Sequence, residues 1–191
     1  MKKDLGVIPA VYPLPVLLIG SYDENGVPDV MNAAWGTVCD TDKIALCIEG
    51  HKTNENIAKT KAFTVALADA AHIKEADYFG IASAGKTPDK FARTGLTAVK
   101  SARVNAPVIE EFPLTMECEF IEEVETENLH MTVGRIVNVL ADEAVLDEKG
   151  NVDAAKLDAL VYDHFGKCYR VTGERTGGAW HAGKDLMKQA K

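Results

Sequence analysis

Three short stretches carry residue types that could grip a ligand. In Met31-Asn32-Ala33-Ala34-Trp35-Gly36-Thr37, small residues stand where a strand ordinarily carries bulky ones. Small side chains let the backbone approach a flat molecule, and peptide N–H and C=O groups can then hydrogen-bond to it. Asn32 adds an amide with both donor and acceptor. A crowded barrel interior would ask for the same residues. His51-Lys52-Thr53-Asn54-Glu55-Asn56-Ile57 follows a strand and opens a helix. A helix N-terminus carries about half a positive charge and free N–H groups. With a lysine and a threonine hydroxyl beside it, the spot becomes a phosphate seat. The plainer alternative is a solvated cap, with Thr53 satisfying its own helix and Lys52 pointing to water. Ser83-Ala84-Gly85-Lys86-Thr87-Pro88-Asp89-Lys90-Phe91 joins a loop to a helix start, with two lysines and two hydroxyls. Lys90 and Phe91 fall in the first turn, where the helix dipole disfavours a positive charge. That mild conflict points to a ligand; a surface loop is the alternative.

The elements that must position these stretches read mostly as strands. Leu14 to Ser21 is an apolar run, Asp23-Glu24-Asn25-Gly26 is a hairpin signal, and Val27 to Thr37 is the returning strand. Lys43 to Glu49, Ala62 to Ala68, Leu114 to Val124, His130 to Ala141 and Cys168 to Thr172 have strand length and composition. Helices are inserted between them: from a Thr53 cap through Lys61, from an Asp69 cap to Gly80, and from Asp153 to Val161. Thr87 as N-cap, Pro88 at the first helical position and Gly95 past the end punctuate another. Hairpin-linked strands with too few helices for a βαβ alternation predict a mostly β, closed antiparallel barrel with short decorating helices. An open α+β sandwich is the second architecture. The glycine-rich dinucleotide fingerprint and the Walker loop are both absent, which disfavours a doubly wound nucleotide fold.

Composition narrows the function classes. A chain of 191 residues fits one domain spanning 1–191, and 47% hydrophobic against 26% charged residues is ordinary for a globular fold. Against 29 acidic residues stand 21 Lys and Arg, a net charge of −8 that argues against a nucleic-acid partner. Prolines at 9, 13 and 15 interrupt the first apolar run, leaving no signal peptide or membrane span to expect. Cys39, Cys47, Cys118 and Cys168 are widely spread, so they predict reduced thiols in a cytoplasmic protein and no metal site. His72, His130, His164 and His181 each stand alone in the sequence. No nucleophile elbow is present, and the acidic run Glu117 to Glu127 reads as the solvent face of a strand.

The ordered set of motifs resembles the flavin reductase-like family, nearest its flavoredoxin branch. It runs from Asn32-Ala33-Ala34-Trp35 through His51-Lys52-Thr53-x-x-Asn56-Ile57 and Asp77-Tyr78-Phe79-Gly80-x-x-Ser83 to Asp89-Lys90-Phe91-x-x-Thr94-Gly95-Leu96. Ala106 to Glu111, Glu117-Cys118, Tyr169 and Gly183-Lys184 extend it over nearly the whole chain. Ala84 follows Ser83 where the family often has glycine, and Trp180 stands where phenylalanine is common.

The resemblance implies a Greek-key-like split β-barrel that binds FMN as a homodimer, with the cofactor near the subunit interface. Asn32, Ala33, Ala34 and Trp35 would line the isoalloxazine. His51, Lys52, Thr53 and Asn56 would hold the phosphate and ribityl end. Ser83, Ala84, Lys86, Lys90 and Phe91 would close the other side. NADH or NADPH, or a redox-protein partner, would supply electrons. Because a bound flavin brings the redox chemistry itself, no catalytic side chain is expected. Two alternatives remain: an FMN electron carrier without direct NAD(P)H activity, and a non-enzymatic split-barrel module for another ligand.

Overall fold

The computed structural model describes residues 1–188. The chain opens with a two-residue strand, β1 (Leu14–Pro15), and the apolar run continues as β2 (Leu17–Tyr22). β2 turns back into β3 (Pro28–Ala33), the register running from Tyr22↔Pro28 to Leu17↔Ala33. Asp23 organises the turn by accepting from the N–H groups of Asn25 and Val27, and Gly26 takes a φ of +77° that a side chain would oppose. After β3 come β4 (Gly36–Asp40) and β5 (Lys43–Leu46). α1 (Lys52–Thr60) then leads into β6 (Ala62–Leu67), and α2 (Ile73–Ile81) follows. The second half contributes β7 (Ala98–Lys100), β8 (Pro107–Ile109) and the long pair β9 (Leu114–Thr126) and β10 (Leu129–Ala141). It ends with α3 (Ala154–Leu157), β11 (Leu160–Asp163) and β12 (Cys168–Val171).

Seven strands form one antiparallel sheet in the order β3-β2-β6-β9-β10-β5-β4. Its two edge strands are consecutive in sequence, joined only by Ala34 and Trp35. So short a link forces the edges together and curls the sheet into a barrel, split along the β3/β4 seam. Gly36 sits at that closure: a Cβ there would lie 2.7 Å from both Leu17 Cδ1 and Leu46 Cδ2. The passage from β5 to β6 through α1 crosses over β10 and β9, a Greek-key-like step. Alternation along the strands separates two cores. Leu17, Ile19, Ile44, Leu46, Phe63 and Val65 fill the barrel, with Phe63 packed directly on the bare backbone of Gly134. Val16, Leu18, Val30 and Ala66 face outward beneath Ala76 and Phe79 of α2, together with Phe91, Ile109 and Phe112.

Several expectations are corrected. The strand foreseen over Val27 to Thr37 is two strands, broken at Ala34-Trp35 where the chain crosses the seam. The well-punctuated segment from Thr87 to Gly95 is a run of tight turns ending in one 3-10 turn, Ala92–Thr94. Tertiary demands override its capping signals, because Lys90 and Phe91 are both drawn inward. Asp153 does cap a helix, accepting from the Ala155 N–H, but that helix ends at Leu157. Asp158 then turns left-handed, and Val161-Tyr162 pair in a strand against β1 and β12. Glu117 does not face solvent. It is 1% exposed, and it accepts from Ser101 Oγ and, at 2.6 Å, from Asn138 Nδ2. His72 and His130 do not stand alone either: His72 lies 2.8 Å from Asp69, and His130 lies between Glu123 and Glu49.

Candidate functional site

The site begins where the chain leaves β5. His51 is the residue before α1, its backbone extended and its side chain making no capping bond. The first N–H groups of α1 are therefore left without a side-chain cap, which suits an anion. Thr53 does not take the capping role foreseen for it. Its side chain is buried, and Oγ1 donates to Asp29 Oδ2 at 2.7 Å. Asn56 Nδ2 reaches the same oxygen at 3.4 Å and Ser21 Oγ at 3.3 Å.

Asp29, on β3, is the hub of this floor. Lys90 Nζ lies 2.8 Å from Asp29 Oδ1, with side-chain exposures of 4% and 5%. Among the described residues that oxygen has no aligned hydrogen-bond donor, so the contact is one of charge. Sequence reasoning missed Asp29. The signal available was a carboxylate inside the otherwise apolar Pro28–Met31 run.

Above this floor lies a cavity of about 360 Å³, within the usual size of small-molecule sites, roughly 300–1,000 Å³. Its walls are the end of β3, the start of α1, the end of α2 and the loop from Ser83 to Lys90. Of the foreseen residues, Asn32, His51, Lys52, Thr53, Ser83, Ala84, Lys86 and Lys90 line it. The others lie elsewhere. Ala33 and Ala34 continue along the seam, and Trp35 stands 63% exposed, its carbonyl accepting from the Cys47 N–H. Asn56 is buried in the floor. Phe91 belongs to the outer core, its ring stacked on Phe79 with centroids 6.1 Å apart.

The cationic supply is more selective than the lysine count suggests. The charge of Lys90 is balanced by Asp29. Among the described residues, Lys52 forms one ion pair, an open contact of 3.3 Å to Glu55. Lys86 is exposed and has no ion-pair partner among the described residues. An anion entering here would meet Lys52, Lys86 and the uncapped start of α1. Tyr169, on β12, donates to Asp77 Oδ1 at 2.9 Å beside Asn32. Burial and then the Asp77 carboxylate push the Tyr169 phenol up to about 12.

The flavin reductase like domain matches residues 10–172 of the chain. The chain belongs to the flavin reductase-like family. Flavoredoxin of Desulfovibrio vulgaris (Miyazaki F) is 35% identical and superposes with a TM-score of 0.90, over 96% of this chain and 100% of that one. Flavoredoxin from Methanosarcina acetivorans is 26% identical, with a TM-score of 0.87 over 97% and 100%. A split barrel domain from Shewanella frigidimarina, 20% identical, superposes at 0.77 over 86% and 85% and supports the fold alone. The fold is thus the split barrel of flavin reductase-like proteins. No helix among the described residues is long and apolar enough to cross a membrane.

Proposed function

We propose that this flavin reductase-like protein is an FMN-dependent oxidoreductase built as one domain. The reading is carried by a single observation: Lys52, Lys86, the uncapped start of α1 and Asn32 meet in one cavity of an otherwise acidic chain. FMN joins a phosphate dianion to a flat ring through a polyol, and this donor set fits its charged end. When bound, FMN supplies the redox chemistry. The chain binds the phosphate through Lys52, Lys86 and α1 N–H groups, and orients the remainder against Asn32 and the Ser83-Ala84 loop.

A homodimer completes the proposal. Trp35 and Val38 are exposed at the seam edge, and Leu5, Val7, Val11, Trp180 and Leu186 are exposed on the terminal segments. Apolar surface of this kind is suited to burial against a second copy. The partner would then cover the seam beside the cavity, where Ala33, Ala34 and Trp35 run. A cytoplasmic setting with reduced thiols agrees with four cysteines that are all free.

Electrons reach the flavin from NADH or NADPH in this reading. The likeness to flavoredoxins and the net charge of −8 favour a second one, an electron carrier reduced by a basic partner protein. Anaerobic titration separates them. A yellow protein bleached by NADH or NADPH supports the first, and a yellow protein reduced only by a redox protein supports the second. A colourless protein that ignores added FMN overturns both and leaves a split-barrel module for another ligand.

A further inference from the structure

We propose that the buried pair of Asp29 and Lys90 sets the charge of the anion seat, with Lys90 cancelling a carboxylate and a helix end that otherwise repel the ligand's phosphate. This rests on the FMN reading above and names the residues that govern how strongly that site favours a phosphate.

The cavity receives two helices by opposite ends. α1 arrives by its N-terminus, the positive end of its dipole, and α2 by its C-terminus, the negative end. The last turn of α2, Tyr78-Phe79-Gly80-Ile81, carries no basic side chain to offset that end. A second negative group lies close by. Asp29 Oδ2 accepts from Thr53 Oγ1 at 2.7 Å, so the carboxylate stands one hydroxyl away from the start of α1. Such a charge anchors the helix, but it also competes with a phosphate for the same helix end and repels it.

Lys90 answers both groups. Its Nζ lies 2.8 Å from Asp29 Oδ1 and donates at 3.4 Å to the carbonyl of Ala82, just past the end of α2. The side chains of Lys90 and Asp29 are 4% and 5% exposed, so solvent screens neither charge as it does at a surface. Lys90 lines the cavity and Asp29 does not. With the pair intact, the positive charge left for an anion is that of Lys52, Lys86 and the helix start. Breaking the pair shifts this balance in opposite directions. Without Asp29, the Lys90 ammonium turns its charge to the phosphate. Without Lys90, an uncompensated carboxylate faces the phosphate across the start of α1. Asp29 and Lys90 thus determine specificity through charge, and neither is a catalytic residue.

FMN and riboflavin differ by the phosphate alone, so the ratio of their affinities reads the seat. Fluorescence titration of the full-length protein compares the wild type with Asp29→Asn, Lys90→Met and the double variant. The FMN-to-riboflavin ratio should rise at least about threefold in Asp29→Asn and fall at least about threefold in Lys90→Met. In the double variant it should return to within about twofold of the wild type. A purely structural role moves both ligands together and leaves the ratio unchanged, which overturns the proposal. So does a ratio that falls in Asp29→Asn, or a double variant well below the wild type, which would put Lys90 on the phosphate itself. Should Lys90→Met fold poorly, Asp29→Asn against the double variant isolates the Lys90 charge. A wild type that binds neither flavin sinks the FMN reading instead. Inorganic phosphate at constant ionic strength then decides the pair: it should raise the melting temperature of Asp29→Asn more than that of the wild type, and an equal or smaller rise overturns the proposal.

Discussion

Lys90 Nζ stands 2.8 Å from Asp29 Oδ1, so this lysine of the cavity lining is not a free cation. A lysine in the loop wall of an anion site invites the reading that it binds the anion. Its charge is instead balanced inside the protein, where Asp29 also receives Thr53 and Asn56. Removing one member of a buried ion pair leaves an uncompensated charge. Lys90→Met should therefore cost about 3–5 kcal/mol of stability in urea denaturation. Neutralising Asp29 as well, by Asp29→Asn, should return a large part of that loss. A Lys90→Met protein as stable as the wild type would show that the pair is not formed.

Phosphate affinity should follow the two uncommitted lysines. Lys52→Ala and Lys86→Ala should each weaken FMN by about 1.5–3 kcal/mol, since each removes a charge-assisted contact. Both should also flatten the salt dependence of binding. Thr53→Ala behaves differently. Its backbone N–H stays at the helix start, while its hydroxyl is lost to Asp29, so about 1–3 kcal/mol should disappear from stability and little from affinity. Fluorescence titration beside urea melts distinguishes these patterns. A Thr53→Ala variant that loses affinity but not stability would place its hydroxyl on the ligand.

The barrel strands were legible because their apolar runs are long and bounded by turn signals, as in Leu17–Tyr22 and Ala62–Leu67. The cavity wall at His51 to Thr53 was legible for a local reason, a polar cluster opening a helix. What escaped was set by contacts distant in sequence. Nothing near Lys90 announces Asp29, and nothing near Glu117 announces Ser101 and Asn138. Phe91 follows a lysine in a polar loop, yet its ring is a core residue on Phe79. β7, β8 and β11 are three or four residues long, too short for a period-2 pattern to stand out.

The Glu117 cluster makes its own prediction. Ser101 Oγ donates to this buried carboxylate while accepting from the N–H groups of Arg103 at 3.0 Å and Val104 at 2.9 Å. Ser101→Ala leaves the carboxylate with Asn138 and orphans both N–H groups. A loss of about 1–3 kcal/mol is expected, with faster amide exchange confined to the segment between β7 and β8. Unchanged exchange there would mean that the loop is held by other contacts.

Cys118, wholly buried in the barrel on the strand position after Glu117, makes the fold sensitive to alkali. Burial first, and the Glu117 charge second, push its thiol from an ordinary value near 9 up to about 12. The unfolded chain therefore releases this proton at lower pH than the folded one. Below pH 9 both states hold it and the contribution is fully present; between about 9 and 12 the unfolded state binds fewer protons and stability falls. The slope from this one group reaches about 1.4 kcal/mol per pH unit. Tyr169, also raised, adds in the same direction at the upper end of that window. Cys118→Ala removes the proton without crowding the barrel. Its urea midpoint should fall less steeply than that of the wild type between about pH 8 and about pH 11. Parallel profiles for the two proteins would show that the Cys118 thiol ionises alike in the folded and unfolded states.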